Sequence, residues 1–182
     1  MPNHVVNEVV FAGITAAQRD VILANVLNAE GKIDFQIMLP IPINAWMGNT
    51  GKRHEEAFKL TALDWCRENW GTKWNAYSQL PIEPSDNSLR LVFETAWRPP
   101  YGWLCALFNR FMLPFAHNWH DEGRELGVVG RFDPAFLDDP RGESWSEKGA
   151  DGDMQRHLYG LQWGVETPEE LDAKYTCGTE AP

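Results

Sequence analysis

The chain has 182 residues, 43% of them apolar, which suits one domain with an appendage and a sizeable core. It carries a net charge of −10, an acidic excess that argues against a generic binder of phosphate backbones and makes direct nucleic-acid binding unfavoured. That charge is uneven: residues 1–131 hold 14 acids and 12 bases, whereas residues 132–182 hold 12 acids and 4 bases.

The first element is a strand over His4–Phe11, with Val5, Asn7, Val9 and Phe11 on one face and Val6, Glu8 and Val10 on the other. Thr15 and Gln18 form a capping box, which starts a helix that runs to about Leu27. Ile33–Pro42 is apolar, but Pro40 and Pro42 confine it to an extended or edge segment. A turn at Gly48–Gly51 leads into a helix from about Arg53 to Asn69, closed by Gly71. Thr72–Ser78 alternates as a strand, and Pro81–Asn87 reads as a loop. Ser88–Trp97 is the clearest strand, with Leu89, Leu91, Phe93, Thr95 and Trp97 on one face. Pro99-Pro100 then stops the strand and starts a helix to about Met112, before Pro114 forbids continuation. Phe115–Asp121 and Glu125–Arg131 predict a hairpin turning at Glu122–Arg124. Beyond Phe132 the chain is turn-rich and acidic. Leu158–Trp163 is a short apolar island that fits one more strand, and Thr167-Pro-Glu-Glu170 caps a short helix over 168–175.

Without the segment at about 33–71, this order is βαββαβ. The expected fold is therefore α+β: a ferredoxin-like antiparallel sheet with helices on one face, an inserted helix and an acidic C-terminal extension. The expected division is a domain over 1–131, with its insertion, and an extension over 132–182.

Three cysteines (Cys66, Cys105, Cys177) are widely spaced, against a disulfide framework or a Cys-x-x-Cys metal site. They fit a reducing cytoplasm. No basic stretch followed by an apolar run opens the chain, and no apolar run is long enough for a membrane span. His117, His120, Asp121 and Glu122 are the most metal-like cluster. A strand sends His117 and His120 to opposite faces, so no metal is assigned. Asp151-Gly-Asp153 is too short for a calcium loop, and no Gly-x-Ser-x-Gly occurs. No catalytic residue or cofactor is assigned.

Several stretches resemble a known family. They are Met1–Val5 with Asn7, Ile33-Asp-Phe35 with Leu39–Pro42, Gly71-Thr-Lys-Trp-Asn-Ala-Tyr77, Phe93-Glu-Thr-Ala-Trp-Arg-Pro-Pro100 and Asp121-Glu-Gly123. In that order the chain resembles the YubB ferredoxin-like family of small proteins encoded mostly by bacteriophages and plasmids. This resemblance implies a ferredoxin-like fold and a mobile-element origin, and it brings no catalytic residues.

The expected function is a non-enzymatic accessory protein that binds a host bacterial protein, inhibiting a defence system such as CRISPR or restriction. The candidate contact surface is acidic and DNA-mimicking: Asp133, Asp138, Asp139, Glu143, Glu147, Asp151 and Asp153, set against a basic nucleic-acid-binding groove. One alternative is single-stranded nucleic-acid or RNA binding on an aromatic sheet face of Trp74, Tyr77, Trp97 and Trp119. A small-ligand or metal-binding protein is the other.

Overall fold

In the computed structural model, residues 3–48, 51–83, 85–135 and 145–177 are described. Five strands form one antiparallel sheet: β1 (His4–Ala12), β2 (Ser88–Ala96), β3 (Phe115–Asp121), β4 (Val128–Phe132) and β5 (Trp145–Gly149), in the order β2-β1-β3-β4-β5. β1 is central, pairing Val9 with Leu91 on one side and with His117 on the other.

Alternation along these strands separates two faces. One bears Val9, Phe11, Leu89, Leu91, Phe93, Phe115 and Phe132, all buried. Against it pack α1 (Ala16–Val26), through Ile22 and Val26, and α4 (Tyr101–Phe111), through Trp103, Leu104, Leu107 and Phe108. The Thr15–Gln18 capping box is present. α4 crosses from β2 to β3 with β1 lying between them, which is the split βαβ unit of a ferredoxin-like fold.

The other predicted βαβ half has its second strand almost dissolved. Thr72–Ser78 contributes one bridge, Tyr77 to Glu94, and Leu80 N–H follows with a bond to Val92 O at 3.0 Å. Two side-chain amides tie the stretch to residues 33–35. Asn75 Oδ1 accepts from Phe35 N–H at 2.9 Å, and Gln79 Oε1 accepts from Ile33 N–H at 2.7 Å while its Nε2 donates back to Ile33 O. These amides satisfy the backbone of residues 33–35 as a strand partner would.

The predicted helix over 53–69 is two: α2 (Lys52–Ala57) and α3 (Ala62–Asn69). Thr61 breaks it by capping α3, accepting from Asp64 N–H at 3.1 Å. Phe58 stacks on Trp46, with ring centres 4.4 Å apart, and is 40% exposed rather than in the core.

Residues 145–173 belong to the folded body. β5 completes the sheet, and the apolar island at 158–163 lies in α5 (Gly152–Trp163), not in a strand. α5 packs on the sheet's second face, opposite α1 and α4, with Leu158 fully buried. Gly164, in the left-handed region, ends α5; α6 (Pro168–Cys177) follows, its Thr167 accepting from Glu170 N–H.

Candidate functional site

The predicted acidic residues separate into three groups. Asp138, Asp139 and Glu143 lie outside the described residues. Asp133 and Glu147 are engaged within the protein. Asp133 pairs with Arg131 Nη2 at 2.7 Å and accepts from Ala135 N–H, contacts that hold its carboxyl below the usual range. Glu147 Oε1 accepts from Tyr101 Oη at 2.7 Å and from Trp119 Nε1 at 3.1 Å. Burial, then that bond to Glu147, pushes the Tyr101 phenol up. Asp151 and Asp153 are exposed, Asp153 pairing with Arg156 one turn along α5. Glu166, Glu169, Glu170 and Asp172 are exposed as well. The described part of the extension thus turns six acids outward, against Lys148 and Arg156 as its exposed lysine and arginine.

The four aromatic candidates do not share a surface. Trp119 is on the sheet face that α1 and α4 pack against, 5% exposed, with the Arg124 guanidinium 4.9 Å from its ring centre. Trp74 and Tyr77 meet edge to face at 6.3 Å. Tyr77 Oη is 2.9 Å from His4 Nδ1 and donates to Thr95 O; burial, with Glu94 and Glu122 nearby, pushes its pKa up to about 12. Trp97 stands apart at the corner between β2 and α4, 51% exposed.

This corner is built by close backbone approach. α3 ends where α4 begins, and Trp103 N–H donates to Trp70 O at 3.3 Å. A Cβ at Gly102 would lie 2.0 Å from Asn69 O, and one at Gly71 (φ +86°) 2.9 Å from Tyr101 N. Both positions therefore require glycine. Thr72 Oγ1 donates to Ala96 O, Thr95 Oγ1 to Arg98 O, and Trp97 N–H to Asn3 O, all at 2.9 Å. Held at both ends, Trp97 adopts φ +76°. That conformation costs a non-glycine residue about 1–3 kcal/mol. Beside it opens a cavity of about 510 Å³, bounded by Arg67, Thr72, Lys73, Trp97 and Arg98. A more apolar cleft of about 560 Å³ lies on the other side of Lys73, floored by Ile41, Met47, Leu63, Cys66 and Trp70. Burial pushes the Cys66 thiol up to about 11, away from nucleophilic reactivity.

His117 and His120 face opposite sides of β3, as alternation requires. His117 is fully buried under α4. Its Nε2 is 3.1 Å from Asn7 Oδ1, while the Asn7 amide group donates to Val5 O and Thr95 Oγ1, so His117 carries its proton on Nε2. Burial holds its pKa down to about 3. His120 lies under α5 beside the Tyr159 ring, its pKa lowered by burial despite Asp121. No three metal-ligating side chains converge among the described residues.

Sequence reasoning missed the polar seam beneath α5. Glu8, 4% exposed, accepts from Arg90 Nε at 2.7 Å, Asn118 Nδ2 at 3.0 Å and His157 Nε2 at 2.9 Å. Burial raises its pKa, but these three donors outweigh burial and the net shift is downward. A charged residue in the middle of a central strand was the available signal, since such a group is buried only with partners.

A family model described as the ferredoxin-like domain in Api92-like protein matches residues 69–134, just over a third of the chain. The match runs from the end of α3 through β2, α4, β3 and β4, and with the sheet order it supports a ferredoxin-like family and the α+β class. The chain matches no curated protein and no solved structure. No helix among the described residues is long and apolar enough to cross a membrane.

Proposed function

We propose that the protein is a non-enzymatic binding module that engages a partner protein through the acidic face of its C-terminal third. The observation that supports this reading is the outward presentation of Asp151, Asp153, Glu166, Glu169, Glu170 and Asp172 on and between α5 and α6. α5 is anchored to the sheet by buried Leu158, so part of the face rests on a fixed element, and fixed charges lose less entropy on binding. A partner with a basic nucleic-acid groove is complementary to such a surface. From the resemblance to phage- and plasmid-encoded proteins, the setting we propose is the cytoplasm of a bacterial host, with a defence or regulatory protein as target.

Removing residues 132–182 would be a poor test, because it strips β5 from the sheet and Leu158 from the core. The better variant neutralises four exposed acids: Asp151→Asn, Asp153→Asn, Glu169→Gln and Glu170→Gln. The wild-type protein should capture a host protein at low salt, release it at high salt or on adding duplex DNA, and the variant should capture much less. Equal capture by variant and wild type would sink the proposal.

A further inference from the structure

We infer that the corner between β2 and α4 is a second binding site, which takes a nucleobase stacked on Trp97 with its adjoining phosphate among Arg67, Lys73 and Arg98. The cavity of about 510 Å³ falls within the range of small-ligand sites. Its lining holds three cations and no carboxylate, on a chain whose net charge is −10. Arg67 has one distant partner, Asp64 at 3.7 Å, with both side chains more than half exposed. The Lys73 ammonium lies 4.8 Å from the Trp74 ring centre.

Trp97 sharpens the assignment. Glycine would occupy a left-handed corner without strain, yet the largest side chain stands there. It also leaves half of its surface in water. A flat, apolar, half-exposed ring bordered by guanidinium and ammonium groups is how proteins hold single-stranded nucleic acid without reading its sequence.

The acidic excess does not cancel this site. The corner lies at the β2 edge of the sheet and its lining holds no carboxylate, whereas the outward acids of the extension lie on and between α5 and α6, with α5 over the second face. Exposed charges are largely screened beyond a Debye length of about 8 Å. The sequence offered Trp97 but hid the cations around it, because Arg67 and Lys73 meet Arg98 only through the abutting ends of α3 and α4.

The test is fluorescence anisotropy with labelled short mixed-sequence single-stranded DNA and RNA at about 50 mM salt, beside an unlabelled mononucleotide competitor and an acidic, tryptophan-containing peptide. The expected result is saturable oligonucleotide binding whose log–log salt dependence has a slope of about −0.7 for the one phosphate held by the three cations. Trp97→Gly should lower affinity about ten-fold, while the variant stays folded at the assay temperature, because relief of the left-handed strain offsets glycine's extra unfolded-chain entropy and the lost packing of the half-buried ring. Lys73→Gln and Arg98→Gln should each flatten the salt slope. A mononucleotide that competes as well as an oligonucleotide supports the site and assigns it to free nucleotides. The inference is overturned by no binding of either, by unchanged binding in Trp97→Gly, or by the peptide binding ahead of both.

Discussion

Acid should destabilise this protein through His117, well before its carboxylates titrate. The folded ring holds off protonation until about pH 3, whereas the unfolded ring titrates near 6.5. Between those values the unfolded chain binds a proton that the fold refuses. Stability from this group is therefore full above the unfolded value and falls as pH falls towards the folded one. From about pH 7 to about pH 5 the loss is about 2 kcal/mol, a large part of the ~5–15 kcal/mol that holds a domain together. His120, lowered by burial, acts in the same direction. His117→Gln removes the titration and keeps an amide to donate to Asn7. Denaturant unfolding at the two pH values should show the acid-induced loss shrinking by about 2 kcal/mol in the variant relative to wild type. An identical loss in both proteins would refute the argument, because burial of His117 could then not be what acid attacks. Comparing slopes makes the test independent of any stability lost at neutral pH.

Gly102→Ala gains helix propensity yet drives a methyl into Asn69 O, so a net loss of about 1–3 kcal/mol is expected by denaturant unfolding. Gly149→Ala, with open space around its Cβ, is the near-neutral control. Leu158→Ala should cost about 2–5 kcal/mol, since Leu158 is fully buried and its Cδ1 nests where Gly127 lacks a side chain. Hydrogen exchange should then quicken first in α5. Glu8→Gln should cost about 1.5–3 kcal/mol near neutral pH, less than a fully buried pair would, because Arg90 and His157 are about 40% exposed and can rehydrate. The Glu8 contribution exists above the carboxylate range and disappears as pH falls through the depressed folded pKa. A fully retained stability in Glu8→Gln would mean that the seam is not a load on the fold.

The architecture was legible where local and global preferences agree. Strand β2, the Thr15–Gln18 box and the Pro99–Pro100 start of α4 each combine period, cap and turn chemistry in one stretch. Failures came where one residue type had two uses. Asn75 looks like a solvent-facing strand position and Gln79 lies just past the expected strand, but their amides bond the backbone of residues 33–35. Thr61 reads as mid-helix until its spacing to Asp64 is recognised as a cap. Leu158–Trp163 is too short for its period to separate strand from helix. β5 was invisible because Trp145-Ser-Glu-Lys-Gly149 carries little β propensity of its own and is held by its pairing with β4. As for the binding surfaces, Asp151 and Asp153 are exposed as drawn from composition. The cations at the Trp97 corner are distant in sequence and brought together only by folding.

The central position of β1 has a consequence for how the chain comes off the ribosome. Ala12 and its ladder partner Ser88 are separated by 76 residues, and β3 begins later still. At about 5–20 residues per second, Val5, Val6, Val9, Val10 and Phe11 remain an unpaired apolar strand for roughly 4–15 s of synthesis. The nascent protein is thus most exposed to misassociation before its middle has been made, and slower translation of residues 13–87 should lengthen that interval rather than help the chain fold.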